Sequence, residues 1–425
     1  MRILSWYLPR LPIYLVYMLQ QVDYRPKKLL EWLKRGPRLD TVMHRRILDK
    51  TKRAKALILL SAASWVVLLL LSLALMVFGV VALKIVGLLV LLASPFFTAV
   101  ILLSAVQLAY ILIAKPSEAK LVQASKQIFK AHSAIKIGVA GSYGKTTFKE
   151  ILTTVLKEEF NVAVTPGNMN TPIAHARFAR RLKGDEDILV IEYGEEYPDD
   201  IKKFIENTQP DYAVLTGIAP NHLDYYKTLK ALVSDLFTLR SLGKDKLYIN
   251  AESELVKQNL KEGDYTFTEQ LAGDFRITDI KVSLSGISFT LQGKKQKLFL
   301  KSGLLGRHQV VPLAMVAVLA IQLGLSKTQI EDGIAKTTPF EHRMQPRVLA
   351  GATILDDTYN GNVEGILAGL ELLRELPAKR KIYVTPGLVD QGEETEPVHH
   401  QIAKKLYDVA PDLIVLMDNS ATKII

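Results

Sequence analysis

The chain has 425 residues, no cysteine, 49% hydrophobic residues and a formal net charge of +11 at neutral pH. That length supports two or three domains with cores of their own. The lack of cysteine excludes disulfides, thiolate metal sites and a cysteine nucleophile.

Residues 1–55 hold fourteen Lys/Arg and four acids, so all but one of the net charges sit there. A basic segment beside an apolar one points to anionic lipid rather than nucleic acid. Trp6, Tyr7, Tyr14, Tyr17 and Trp32 lie among those charges. This predicts an amphipathic segment that either lies in a lipid interface or packs on the helices that follow. From Ala56 to Ala114 the only charge is Lys84. About 20 apolar residues cross a bilayer, so 56–114 fits two spans, with a turn near Gly79–Gly87 where Lys84 reaches the far interface. Leu, Val and Ile occupy every face of this stretch, which argues against a hairpin buried in a soluble core. It also starts too late and runs too long for a secretory signal. Basic residues flank it on both sides, from Lys50 to Lys55 and at Lys115, Lys120, Lys126 and Lys130. The expectation is a two-span protein of the cell membrane with both ends in the cytoplasm.

A polar, helix-like linker occupies 115–133, and then strands and helices alternate. Ala134–Ala140 reads as a buried strand, Lys145–Glu159 as a helix and Asp187–Glu192 as a strand. Pro198–Asn207 follows as a helix, Tyr212–Gly217 as a strand and Lys227–Leu242 as a helix. Such alternation predicts an α/β fold with a mostly parallel sheet. Residues 264–301 instead show period-two patterning with glycine turns, which predicts an antiparallel excursion. Helices return at Val311–Leu323 and Lys327–Lys336. A second alternation begins at Arg347: strands Thr353–Asp357, Lys381–Thr385 and Asp412–Met417, with helices Val363–Leu376 and Pro397–Val409. The resulting domains are 134–342 and 343–425, the second holding only three strands.

The strongest local motif is Gly141-Ser142-Tyr143-Gly144-Lys145-Thr146-Thr147, between a hydrophobic strand and a helix. Glycines let consecutive N–H groups curl around phosphate oxygens, and the helix N-terminus adds partial positive charge. Lys145 is placed to reach the β- and γ-phosphates of a nucleotide, and Thr146 to offer its hydroxyl to Mg²⁺. The spacing departs from the strict phosphate-loop pattern, because Gly141 stands too close to Gly144-Lys145. Glu192 ends one apolar strand and His222 follows another, where ligands gather in parallel sheets. A carboxylate and an imidazole near a phosphate loop can hold a metal during phosphoryl transfer.

The ordered motifs GSYGKTT, TPGNMNTPI, VIEYGEE, GIAPNHLDYY, GRHQV, EHRMQ and ILDDTYNGN resemble the Mur ligase family, in particular its MurF-type branch. The resemblance runs from about Ala134 to at least Leu388. It implies a phosphate-loop central domain and a partial Rossmann-like C-terminal domain, here preceded by the membrane hairpin. It also implies an ATP- and Mg²⁺-dependent amide ligase, in which a carboxylate takes a phosphoryl group and an amine displaces it. The amine would be an amino acid or a dipeptide such as D-Ala-D-Ala, and the acceptor a cell-wall peptide precursor, UDP-linked or lipid-linked. Carried over position by position, Lys145 would bind the γ-phosphate, Thr146 and Glu192 would ligate Mg²⁺, and His222 a second ion. Asn168, Asn170 and Thr171 would line the acceptor channel. His308 would lie near the adenine, Arg343 would reach the phosphates from the hinge, and Asp357 would hold the ribose or the linking region. Asn360 and Asn362 would face the amine, and Gly387 and Gly392 would turn the last loop.

Three departures qualify that resemblance. The family's carboxylated lysine falls on Leu236 or Phe237, which leaves neighbouring Asp235 as a candidate carboxylate. The adenine motif reads Gln309 and Pro312 where asparagines are usual. No nucleotide-sugar domain is visible in 1–133, which points to a membrane-presented acceptor or to an anchor that only localises the enzyme. Ligases of pseudomurein or poly-glutamate type, and a non-catalytic ATP-binding scaffold, are the competing readings.

Overall fold

The computed structural model describes residues 6–22, 24, 26–34, 48–167, 169–359, 362–388, 391–418 and 422–425. It forms two compact units, residues 1–120 and 121–425.

In the first unit two long helices, Lys52–Phe78 and Val81–Ala109, run against each other. The Thr51 hydroxyl caps the first by accepting from Ala54 N at 3.1 Å. Its 27 residues rise about 40 Å, more than the roughly 30 Å of a hydrocarbon core. By length and composition both helices can cross a membrane. The break between them is confined to Gly79–Val80, at the start of the expected turn, and Lys84 lies in the first turn of the second helix. Gly87 belongs to the helix contact instead. A Cβ there would stand 2.9 Å from both the Ser72 carbonyl oxygen and Met76 Cγ, and the Ser72 hydroxyl donates to the Gly87 carbonyl at 2.8 Å. Pro95 leaves the Leu91 carbonyl without its helical donor, and the Ser94 hydroxyl supplies one at 2.8 Å.

The helix Leu11–Gln21 buries Leu11, Tyr14, Leu15 and Leu19 with Trp65, Ala99, Leu102 and Val106. The described helix of the N-terminal segment thus packs on the long helices. Leu59, Val67, Leu70 and Phe78 of the first long helix and Ile85 and Leu89 of the second stay exposed. A π turn at Tyr110–Ala114 leads into the helix Lys115–Ala131, which fills most of the expected linker.

The second unit is built on one ten-stranded sheet. Its strands are β1 (Ile135–Ala140), β2 (Val162–Val164), β3 (Ile188–Glu192), β4 (Tyr212–Leu215) and β5 (Leu247–Asn250). They continue as β6 (Tyr265–Phe267), β7 (Leu271–Ala272), β8 (Phe275–Ser283), β9 (Gly286–Gln292) and β10 (Lys297–Ser302). The order is β2-β3-β1-β4-β5-β6 in parallel, then β7 to β10 antiparallel. The antiparallel excursion thus extends the same sheet.

β1 and β3 are near-continuous apolar runs because helices cover both faces of the parallel part. On one face Val139, Val190 and Val214 meet Phe148, Ile151 and Val155 of the helix Lys145–Leu156, with the almost wholly buried helix Val310–Gln322 behind. On the other, Leu189, Ile191 and Leu215 meet Phe178, Phe204 and Leu232. The expected helix 227–242 is split into Leu229–Leu236 and a 3₁₀ turn at Phe237–Leu242, with a further short helix, Leu223–Tyr226, before it.

Beyond residue 344 the strands do not join into one sheet. β11 (Gln345–Leu349) and β12 (Ala352–Asp356) form an antiparallel hairpin, while β13 (Ile382–Thr385) and β14 (Leu413–Leu416) pair in parallel. The helices Val363–Glu375 and Thr395–Val409 pack on each other through Leu370, Val398, Ile402 and Leu406.

Candidate active site

The loop 141–144 is held from behind by the end of β4. Gly141 and Gly144 adopt φ of 141° and 74°, and Gly217 a φ of 150°. A Cβ on Gly217 would fall 2.3 Å from Tyr143 Cζ, so only glycine leaves room for that ring. Ser142 N donates to the Gly217 carbonyl at 2.9 Å. The buried Thr216 hydroxyl donates to the Tyr143 carbonyl, with the Ala140 carbonyl at 3.2 Å. Burial pushes the Tyr143 phenol well above its usual pKa, so it stays neutral. The Ser142 hydroxyl is buried and unpartnered, inside the loop where a phosphate oxygen would sit.

Two lysines one turn apart project from the helix that follows. Lys145 Nζ is clasped by Glu195 Oε2 at 2.7 Å and by the Gly141 carbonyl. The Glu195 side chain is almost wholly buried, and its Oε1 has no hydrogen-bond partner. The Thr146 hydroxyl donates to Glu192 Oε1 at 3.1 Å, and Asn170 Nδ2 reaches the same oxygen at 3.3 Å. Magnesium–oxygen bonds of about 2.0–2.1 Å in an octahedron put neighbouring ligand oxygens about 3 Å apart. Thr146 and Glu192 therefore fit Mg²⁺ in both donor chemistry and spacing. Among the described residues no three His, Asp or Glu side chains converge on a metal position. Two protein oxygens, with water and phosphate completing the shell, are the usual Mg²⁺ arrangement.

The Glu192 backbone is held at both ends, while its Oε2 is buried without a hydrogen-bond partner. Its N–H donates to Thr165 Oγ1 at 3.1 Å, and its carbonyl accepts from His175 Nε2 at 2.8 Å. His175 is fully buried beside Phe204, and burial lowers its pKa to about 4, so it serves as a neutral donor. Lys149 Nζ lies 3.3 Å from Glu192 Oε2. Lys149, Glu195, His175 and Thr216 are absent from the sequence-derived site.

Around the loop opens a cavity of about 390 Å³. The central domain lines it with Tyr143, Thr147, Phe148, Asn250 and His308, and the C-terminal part with Arg343, Asp357 and Asn362. His308 is exposed at the rim, 2.8 Å from Gln309 Nε2. The Arg343 guanidinium stacks 4.4 Å from the Tyr359 ring centre. Burial raises the pKa of Asp357, which the charge of Arg343 partly offsets, and Asp357 Oδ1 accepts from Met344 N at 3.2 Å.

Other expected residues have different company. Thr171 and Asn362 cap helices, accepting from Ala174 N and Gly365 N. Asn168 and Asn360 lie outside the described residues. His222 opens the short helix Leu223–Tyr226 in a left-handed conformation and belongs to no metal-binding group among the described residues. Asp235 is turned into the core, where Tyr226 donates to Oδ2 at 2.6 Å and burial raises its pKa. Both features oppose its service as a metal-binding carboxylate.

Comparison with known proteins adds to this geometry. The Mur ligase middle domain matches residues 139–320, and the Mur ligase glutamate ligase domain matches residues 342–425. The UDP-N-acetylmuramoyl-tripeptide–D-alanyl-D-alanine ligase of Escherichia coli K12 is 27% identical over 284 residues, 63% of this chain and 61% of that protein. Its counterpart from Borreliella burgdorferi is 25% identical over 310 residues, 70% of this chain and 65% of that one. The chain thus spans somewhat under two thirds of these relatives' length. The MurF ligase from Thermotoga maritima, solved in complex with ADP, superposes with a TM-score of 0.65 at 24% identity, covering 73% of this chain and 72% of that one. That likeness is one of fold. The matched middle and C-terminal domains of one family take up more than half of the sequence, and the chain belongs to the Mur ligase family.

Proposed function

We propose that the chain is an ATP-dependent, ADP-forming amide ligase of MurF type, adding an amino acid or a dipeptide such as D-Ala-D-Ala to a cell-wall peptide precursor. The observation that carries this reading is the pairing of Thr146 with Glu192 at 3.1 Å directly behind the Gly141–Lys145 loop. It supplies a phosphate cradle and a hard-oxygen cation position in one place. Family membership and the D-alanyl-D-alanine ligases among the relatives support it further.

In this reading the loop N–H groups and the Ser142 hydroxyl orient the nucleotide phosphates. Lys145 leaves Glu195 and neutralises charge on the transferred phosphoryl group. Thr146 and Glu192 would hold Mg²⁺, which supplies charge neutralisation at the phosphates when bound. The acceptor carboxylate takes the γ-phosphoryl group to give an acyl phosphate. The amine attacks the acyl carbon, phosphate leaves, and the amine's proton passes to base or solvent. Arg343 and Asp357 bring the C-terminal part over the nucleotide.

The two apolar helices of the first unit are the basis for a membrane location, with the ligase domains in the cytoplasm and lipid as a partner. The acceptor then reaches the site either as a UDP-linked or as a lipid-linked peptide. The test is ADP release by the detergent-solubilised chain, offered both kinds of muropeptide with single amino acids and dipeptides. ADP should appear only with acceptor, amine, ATP and Mg²⁺ together, and Lys145→Ala should abolish it. Turnover with poly-glutamate or pseudomurein peptides alone would replace the proposed substrate. No turnover with any pair, alongside tight ADP binding, would favour a scaffold. Equal use of both acceptor forms would reduce the hairpin to an anchor.

A further inference from the structure

Lys149 is a lysine with no exposed surface in a chain that has many exposed ones. Its ammonium touches four groups from three segments. Thr165 O accepts at 2.9 Å and Gly167 O also accepts, both in the loop after β2. Glu192 Oε2 at the end of β3 lies at 3.3 Å, and Glu150 Oε1 of its own helix at the same distance. Burying an ammonium is costly unless its donors are used, and here carbonyls and carboxylates surround it.

Two consequences follow from these contacts. The ammonium lies beside Oε2 of Glu192 as an ion pair without hydrogen-bond geometry, while the other oxygen, Oε1, is the one turned to Thr146 and Asn170. The same ammonium ties the 165–167 backbone to the helix that begins at Lys145, and Asn170 and Thr171 follow directly on that tie. One charged group thus sets the presentation of the cation ligand and the start of the segment that carries acceptor-facing residues.

We propose that Lys149 is a positioning residue, which orients Glu192 toward the cation and couples that carboxylate to the 165–167 backbone. The assignment rests on the ligase reading for the meaning of that segment, but not for the contacts themselves. Partners that orient a metal ligand typically influence metal affinity by about tenfold or more. Removing the ammonium leaves Glu192 with an uncompensated charge, which a bound Mg²⁺ then relieves.

The test uses the full chain in detergent with Lys149→Met, Lys149→Arg and the double variant Lys149→Met/Glu192→Gln. Lys149→Met should melt lower without Mg²⁺ and recover more of its melting temperature on Mg²⁺ addition than the parent protein does. Protease cleavage mapped within 165–171 should quicken by about tenfold, as for a segment released from its tether. Lys149→Arg should lie near the parent on both measures. The double variant carries no orphaned charge, so it should fold, lose the Mg²⁺ response and keep the fast cleavage. An unchanged Mg²⁺ response together with unchanged cleavage, in whichever of these variants folds, would overturn the assignment. Failure of the parent protein to bind ADP at all would instead overturn the ligase reading.

Discussion

Thr216 offers the sharpest measurement of how the phosphate loop is held. Its hydroxyl is buried and donates to the Tyr143 carbonyl, and Thr216→Val keeps the side-chain shape while removing that donor. A carbonyl left without a donor costs about 1–3 kcal/mol when buried, and for this part-buried one that range is the upper limit. If the loop relaxes to recover a partner elsewhere, the cost returns when nucleotide demands the original conformation, and ADP affinity falls by roughly 5- to 150-fold. If the loop cannot relax, the same cost appears as lost stability. Calorimetric titration with Mg²⁺-ADP and a thermal melt on one preparation cover both cases. Thr216→Ser retains the hydroxyl and should resemble the parent. Affinity within about twofold of the parent together with an unchanged melting temperature in Thr216→Val would refute the reasoning.

Lys145→Met should remove catalysis and also destabilise the fold, because buried Glu195 loses its cation; breaking such pairs typically costs about 3–5 kcal/mol. Adding Glu195→Gln should restore the melting temperature without restoring ADP release, which a melt and a turnover assay separate. Burial alone would raise the pKa of Glu186, but hydrogen bonds from Lys183 N, Gly184 N and His132 outweigh it and bring it to about 2. Its folded pKa lies below its ordinary 4.5, so the stabilisation is full above about pH 4.5 and disappears toward pH 2. Urea melts at pH 7, 4.5 and 3 should show that loss, and Glu186→Gln should flatten it. Gly87→Leu drives a side chain into Met76 and the Ser72 carbonyl, so the hairpin should part and its melting temperature in detergent fall.

Much of the fold was legible because the physics behind it is local. The runs IKIGVA and DILVIE are near-continuously apolar, broken only by Lys136, Asp187 and Glu192, as strands covered on both faces tend to be, and they became β1 and β3. β2 and β5, of three and four residues, escaped the sequence reading. Thr146 and Glu192 were readable as loop and strand-end residues, and they do meet. Lys149 and Glu195 were not, since a lysine in a helix and a glutamate in EEY read as solvated charges until the tertiary fold buries them. Lys149 left one clue: four residues after Lys145, it must share that residue's helical face. Thr171 and Asn362 also have a local role that the sequence shows. Each stands immediately before a helix, which is the signature of a cap, and capping is what their side chains do here.

The hinge that brings Arg343 to the cavity has its own energetics. His342 and Met344, on either side of that arginine, have φ of 59° and 46°. Non-glycine residues held in that region cost of order 1–3 kcal/mol each. The surroundings hold them there through His342 Nδ1 on Asp356 Oδ2 at 2.8 Å and the Tyr359 N–H on the His342 carbonyl. Such a joint is a loaded spring rather than a slack tether. The backbone on either side of Arg343 is thus set by its neighbours rather than by its own torsional preference.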